Sequence, residues 1–143
     1  LMDDSIKNNI AFDGKKIDKK KLNYAIKFSQ LDKLIKNKKG GLNSKVGDDG
    51  IKLSGGQVKR IGIARSLYQM PKVLIYDEIT SSLDKETEKN ILKTLISLTK
   101  NLTVIFITHR PEIIKGEKVK KFILSKKGHT TILRKLRGKK LKN

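Results

Sequence analysis

Apolar residues recur at intervals of three or four in four segments of the chain, and each segment follows a residue that caps helices well. These capping residues are Ser5, Asp18, Ser54 and Asp84. The pattern after Asp18 allows its helix to continue through Ile35, until Gly40 and Gly41 end it. The helix after Ser54 is predicted to stop before Pro71. Its predicted inward residues are Val58, Ile61, Ala64, Leu67 and Tyr68.

Two short runs have a different pattern, because their apolar residues are continuous. Residues 73–76 (VLIY) predict a short buried strand, and residues 102–107 (LTVIFI) predict a strand buried on both faces. Weaker strand patterns follow at 119–124 and 130–133, after a short helix near 111–115. Buried strands that alternate with helices are typical of a parallel sheet in an α/β domain. The front third of the chain has no such strand and is predicted to form a helical subdomain, with residues 44–53 as a loop.

Composition narrows the possible functions. The 143 residues contain no cysteine, which excludes disulfides and thiolate metal sites. The net charge of +20 suggests nucleic acid or anionic lipid, but the 29 lysines and five arginines are spread along the whole chain. This pattern favours solvated lysine surfaces. The tail, residues 134–143, is dense enough in charge to contact anionic lipid, or it could simply be a disordered end. No run approaches the roughly 18 apolar residues of a membrane span, and no secretory signal is visible.

The first candidate functional site is the stretch formed by Ser54, Gly55, Gly56 and Gln57. Ser54 can cap the helix that follows, and the two glycines allow backbone N–H groups to approach an anion closely. An ordinary turn before a helix would use the same residues. The stretch is therefore a candidate phosphate site with an open alternative.

Acidic residues mark the carboxyl end of the first predicted strand. Asp77 and Glu78 follow VLIY, and His109 follows the second strand at the same predicted edge of the sheet. One carboxylate could hold Mg²⁺ while the other orients a water, as phosphoryl transfer requires. Alone, the acids could be a solvated turn and the histidine structural. Asp84 is by default a helix cap, with a second role possible beside the acid pair.

Together these motifs resemble the nucleotide-binding domain of an exporter-type ABC transporter. LSGGQ, VLIYDE, SSLD and the strand-terminal His109 occur in the order and spacing of that family. LMDDSIKNNIAF is similar to the segment after the family's glutamine loop. SKVGDDG is similar to the loop that contacts the transmembrane domain, with Asp48 where glutamate is usual.

The resemblance implies an α/β fold, namely a partial P-loop NTPase (ABC ATPase) domain with a mostly parallel sheet and an α-helical signature subdomain. It would occupy residues 1–133, with the helical subdomain at about 1–71, half of the α/β core at about 72–133, and a basic tail at 134–143. The chain should pair head to tail with a second nucleotide-binding domain, and should contact a transmembrane domain through residues 44–50.

The resemblance also implies a role for each candidate residue. Ser54, Gly55, Gly56 and Gln57 would contact the γ-phosphate of ATP held by the partner domain. Asp77 would support Mg²⁺, and Glu78 would orient or deprotonate the attacking water. His109 would contact the γ-phosphate, and Asp84 would link the two sites.

The phosphate-binding loop GxxxxGK[ST] occurs nowhere in these 143 residues. In the family that loop lies upstream of the glutamine loop, so the chain is expected to be the C-terminal part of a domain and inactive alone. The expected function of the parent is ATP binding and hydrolysis that drives transport of an unidentified substrate, with lipid among the candidates. Its expected location is the cytoplasmic face of the inner (plasma) membrane.

Two alternatives stay open. The charge of +20 suggests a non-transport ABC ATPase that acts on nucleic acid or ribosomes. The exporter-like segments DDSIKNNIAF and SKVGDDG count against it, and no specific nucleic-acid partner is expected. The chain could also be a non-catalytic fragment that at most pairs with a complete domain.

Overall fold

The computed structural model describes residues 1–12, 16–47, 52–78, 84–98, 102–109, 114, 119–127 and 130–135. The chain divides into two compact units, residues 1–108 and residues 109–143. The first unit contains β1 (Asp4–Ser5), α1 (Ile6–Ala11), α2 (Lys19–Phe28), α3 (Asp32–Lys36), a 3₁₀ turn (Gly41–Asn43), β2 (Lys45–Val46), α4 (Gly55–Tyr68), β3 (Val73–Asp77), α5 (Lys85–Leu98) and β4 (Thr103–Ile107). The second contains β5 (Phe122–Lys127) and β6 (Thr130–Lys135).

The predicted helix starts are confirmed by their capping bonds. Asn8 N–H donates to Ser5 Oγ at 3.3 Å, and Asp18 Oδ1 accepts from Lys20 N–H at 2.8 Å. Each oxygen satisfies a backbone donor that has no partner within its own helix. The apolar faces of these helices are buried as expected: Ile6, Ile10, Ala11, Leu22, Ala25 and Ile26.

The helix after Asp18 does not continue through Ile35, so that prediction is wrong. α2 ends at Phe28, Gln30 has a positive φ of 57°, and a separate α3 begins at Asp32. The break turns Leu31 into the core, where it is fully buried. Arg60 of α4 donates to the Gln30 carbonyl at 3.0 Å, which gives the freed backbone oxygen a partner.

Residues 44–53 are not wholly a loop, because β2 lies within them. β1 and β2 pair antiparallel, with Asp4 opposite Val46 and Ser5 opposite Lys45. Gly47, at φ 118°, approaches Asp3 so closely that a Cβ there would lie 2.8 Å from the Asp3 Cα. Patterning could not reveal this pair, since two-residue strands have no period. Residues 48–51 lie outside the described residues.

α4 is the central helix of the first unit and packs on both α1 and α2. Ile61, Ile63, Ala64, Leu67 and Tyr68 are buried. Val58 was predicted to face the core but is 37% exposed, because it precedes the buried stretch that begins at Ile61. Ile63 was missed, since burial on more than one side of a helix erases the single-face pattern.

β3 and β4 form a parallel pair in register from Val73–Thr103 to Asp77–Ile107, which confirms the α/β class. α5 connects them and buries its predicted apolar residues: Ile91, Leu92, Leu95 and Leu98. Leu74 and Tyr76 face the helices and are buried.

The expectation that β4 is buried on both faces is wrong. Ile105 and Ile107 are 45% and 48% exposed, and Val73 and Ile75 of β3 are exposed beside them. Only one face of this strand pair is covered by described helices of the first unit. The continuous apolar run predicted that both faces of β4 would be buried. The described helices of the first unit cover only one of these faces.

In the second unit, β5 and β6 form an antiparallel hairpin with Lys127 opposite Thr130. The strand expected at 119–124 begins later, at Phe122, and the final strand extends to Lys135. The helix expected near 111–115 lies outside the described residues except for Ile114. Of the tail at 134–143, only its first two residues are described, as the end of β6.

Candidate functional site

The glycine turn at the start of α4 has the geometry of a capping box. Gln57 N–H donates to Ser54 Oγ at 3.3 Å, and Ser54 N–H donates to Gln57 Oε1 at 3.0 Å. Ser54 and Gly55 are exposed, and Gly56 and Gln57 are partly buried. These bonds hold the first turn of a 14-residue helix, whose positive end is available to an anion.

Asp77 and Glu78 lie where the sequence predicted, at the carboxyl end of β3. Asp77 is the last strand residue and shares the open face of the sheet with Val73 and Ile75. Its exposed carboxylate is therefore accessible from that face. Glu78 is also exposed, and its N–H donates to the Ile107 carbonyl at 3.0 Å, which continues the parallel pairing one step past β3.

The backbone of Glu78 is in the left-handed region, at φ 45°. This conformation is uncommon for a residue with a side chain, and it ends the extended backbone of β3. Lys59 of α4 donates from Nζ to the Glu78 carbonyl oxygen at 3.4 Å. The helix that begins with the glycine turn and the strand that ends with the acids are thus joined at Glu78.

Tyr76 supports the strand end from the buried side of the sheet. Its ring lies 5.9 Å from that of Phe106, and its hydroxyl lies 3.4 Å from Ser66 Oγ on α4. Burial raises the pKa of the Tyr76 phenol, so it stays neutral. Tyr76 thereby packs β3 against both β4 and α4.

Asp84 caps α5, as the default interpretation of SSLD predicted. Its Oδ1 accepts from Thr87 N–H at 2.9 Å, and this backbone hydrogen bond is the main cause that lowers the pKa of Asp84. The carboxylate is exposed. The capping role is therefore structural fact, while its role as a link between two sites stays a prediction. Residues 79–83 lie outside the described residues.

His109 is the second residue after the end of β4 and is exposed. It is also the first residue of the second compact unit. Its predicted nearness to the acid pair therefore stays a prediction that rests on its position in the chain.

Asn9 connects the start of the chain to α4 and was not identified from the sequence. Its Oδ1 accepts from Met2 N–H at 2.9 Å and from Arg65 Nη2 at 3.2 Å. Its Nδ2 donates to the carbonyls of Met2, Asp4 and Ser5 at 2.9, 3.3 and 3.2 Å. The only available signal was an asparagine between buried positions of a helix. Lys59 carried no signal at all among so many lysines.

The carboxylates at the end of β3 are of the type that binds magnesium, but they do not form a complete metal site by themselves. The described residues include no group of three or more His, Cys, Asp or Glu side chains close enough to share an ion. Mg²⁺ commonly uses one or two carboxylates together with substrate phosphates and waters. The exposed carboxylate of Asp77 fits that arrangement.

A helix that offers its positive end to an anion, and carboxylates at the end of a parallel strand, are typical of an α/β nucleotide-binding domain. The family model for ABC transporters matches residues 3–81. The chain belongs to the ABC transporter family, which confirms the resemblance drawn from its motifs. Membership makes it part of a nucleotide-binding ATPase family.

Its relatives include exporters from several bacteria. It is 42% identical over 111 residues to an ATP-dependent lipid A-core flippase of Francisella tularensis subsp. holarctica, covering 77% of this chain and 18% of the flippase. It is 40% identical over 116 residues to a toxin RTX-I translocation ATP-binding protein of Actinobacillus pleuropneumoniae, covering 81% of this chain and 16% of that protein. The chain thus spans under a fifth of the length of these relatives.

A solved structure supports the same fold. A bacterial Atm1-family ABC exporter with ATP bound is similar at a TM-score of 0.71 and 36% identity. The match covers 80% of this chain and 20% of that one. Within the described residues, no helix combines the length and the apolar character that crossing a bilayer requires.

Proposed function

We propose that this chain works within the nucleotide-binding domain of an exporter-like ABC transporter, where ATP binding and hydrolysis drive transport. The observation that carries the proposal is the pairing, in one compact unit, of a capped glycine turn on α4 with Asp77 and Glu78 at the end of β3. The Francisella relative is named a lipid A-core flippase, which makes a lipid-type substrate the first to test.

The glycine turn is proposed to serve the nucleotide of a partner domain. In a head-to-tail dimer, Ser54, Gly55, Gly56 and Gln57 would donate hydrogen bonds to the γ-phosphate of ATP that the partner holds. The capping box supports this role, because it fixes the turn before any ligand arrives. Asp84 would link the two sites from its place at the start of α5.

The strand end is proposed to serve this chain's own nucleotide. Mg²⁺, when bound with ATP, would neutralise phosphate charge, and Asp77 would hold it. Glu78 would orient the attacking water or accept its proton, and His109 would donate a hydrogen bond to the γ-phosphate. The exposure of both carboxylates is consistent with access to a ligand.

The remaining parts of the proposal concern organisation. We propose a helical subdomain at about 1–71, half of the α/β core at about 72–133 and a basic tail at 134–143. Residues 44–50 would contact a transmembrane domain at the cytoplasmic face of the inner (plasma) membrane. Because GxxxxGK[ST] is absent from these 143 residues, the phosphate loop must come from other residues, and the chain alone would be inactive.

The substitution Glu78→Gln in the complete transporter tests the proposal. The amide keeps the size of the side chain but cannot accept a proton, so ATP turnover should fall by at least about a hundredfold. ATP should still bind, as measured by equilibrium binding of a fluorescent nucleotide. Glu86→Gln, an exposed acid in the first turn of α5, is the matched control and should keep turnover near wild type. Equal hydrolysis by wild type and Glu78→Gln would sink the proposal.

A further inference from the structure

Lys59 connects α4 to Glu78, the residue that directly follows β3. It lies in the second turn of the helix that Ser54 caps, and its Nζ is 3.4 Å from the backbone oxygen of Glu78. Nineteen residues separate the two in sequence. This distance is at the long end of hydrogen bonding, and the contact between the charged ammonium and the carbonyl oxygen is exposed to solvent.

Glu78 has a backbone that its neighbours must hold in place. Its φ of 45° is disfavoured for a residue with a Cβ, and such conformations persist only where the surroundings enforce them. Two backbone contacts do so here: the Glu78 N–H donates to Ile107, and the Glu78 carbonyl accepts from Lys59. The first contact comes from the sheet, and the second from the glycine-turn helix.

We infer that Lys59 is a positioning residue, which fixes the peptide after Glu78 and with it the direction of the Glu78 carboxylate. The inference rests on the catalytic role proposed for Glu78. The ammonium is exposed to solvent, yet it lies within hydrogen-bonding distance of the backbone of Glu78, whose φ is positive.

The placement also has a consequence for coupling between sites. Under the proposed function, α4 begins at a turn that contacts the partner's ATP, while Glu78 acts on this chain's own ATP. Lys59 therefore connects the helix whose first turn would bind one nucleotide to the acid that would act in hydrolysis of the other. This connection is separate from the one proposed for Asp84, which caps α5.

The test compares three variants of the complete transporter by steady-state ATP hydrolysis. Lys59→Met keeps the length of the side chain and removes the donor, Lys59→Arg keeps a donor, and Lys93→Met removes an exposed charge from α5. Losing one hydrogen bond from an ionised group should lower kcat about tenfold in Lys59→Met, with the KM for ATP changed less than about twofold. Lys59→Arg should recover to within about threefold of wild type, and Lys93→Met should match wild type.

Three results would overturn the inference. These are a wild-type kcat in Lys59→Met, a KM for ATP that rises as much as kcat falls, or a kcat in Lys59→Arg no higher than in Lys59→Met. Glu78→Gln, measured in parallel, separates the two proposals: if it hydrolyses ATP like wild type, the proposed function fails. If it is inactive while Lys59→Met is unaffected, only the role of Lys59 fails.

Discussion

Replacement of Asn9 by alanine should lower the free energy of unfolding more than the same replacement of a more exposed asparagine. Asn9 is fully buried, and its side chain bonds with Met2, Asp4, Ser5 and Arg65. Alanine would remove all of these side-chain bonds, although the Met2 carbonyl would keep its bond from Asp4 N–H at 2.9 Å. Taking about 1 kcal/mol for each of the two short bonds to Met2, and about 1.5 kcal/mol for the bond from the charged Arg65, the loss is about 3.5 kcal/mol.

Urea unfolding of the 143-residue chain, followed by far-ultraviolet circular dichroism, measures this loss. With a slope of about 2 kcal/mol per molar urea, the midpoint should fall by about 1.8 M. Asn8→Ala is the matched control, because Asn8 is the neighbouring residue of the same helix and its side chain bonds with the half-buried Asp4. That variant should lose less than about 1 kcal/mol, since water can replace the bonds. Replacing asparagine by alanine raises the intrinsic helix propensity equally at both positions, so this effect cancels when the two variants are compared.

A double-mutant cycle isolates the contact with α4. Arg65 also donates from Nε to the Asn9 backbone at 2.8 Å and lies 4.3 Å over the Phe12 ring, so Arg65→Met removes more than one interaction. Combining it with Asn9→Ala should give a coupling of about 1 kcal/mol or more. The reasoning would be refuted if Asn9→Ala and Asn8→Ala had the same midpoint, or if the coupling were zero.

Two further predictions concern the cap of α5 and two glycines. Hydrogen bonding from Thr87 lowers the pKa of Asp84 below 3.8, so the ionised carboxylate stabilises the fold above that pH and this contribution is lost as the pH falls through the folded pKa. Asp84→Ala should therefore lower the thermal midpoint at pH 7, and the difference should shrink as the pH falls below 3.8; a constant difference would contradict the assignment. Gly62→Ala should stabilise α4 by about 0.5–1 kcal/mol, because a Cβ there meets nothing within 4 Å. Gly47→Ala should destabilise by more than about 1 kcal/mol, since its Cβ would clash with Asp3, and equal midpoints for the two variants would refute this.

Local chemistry made much of the first unit predictable. Ser5, Asp18 and Asp84 cap their helices as expected, because capping depends on a side chain and the few backbone groups next to it. The apolar face of α5 was equally clear. These features need no knowledge of what packs against them.

Features that depend on distant parts of the chain were missed. The break at Gln30 arises where Leu31 turns into the core and Arg60 reaches the freed carbonyl. The β1–β2 pair joins segments about forty residues apart and is too short to have a period. In each case the deciding interaction is tertiary, so the local pattern could not determine it.

The candidate site shows the same division. The positions of Asp77 at a strand end and Ser54 at a helix start were predictable, because each depends on where an element stops or begins. The contacts of Lys59 and Asn9 with distant residues were not predictable, because they form only in the folded chain. A lysine or an asparagine in a helix has many possible roles, and only its neighbours select one.

The left-handed backbone of Glu78 also constrains how this position can change during evolution. Asparagine, aspartate and glycine adopt that conformation most readily, whereas valine, isoleucine and threonine are disfavoured there by their branched Cβ. The side chains that fit the backbone best include ones that cannot serve as a base, such as asparagine and glycine. Under the proposed function, a substitution at Glu78 that suits this backbone could therefore abolish ATP hydrolysis while the fold is retained.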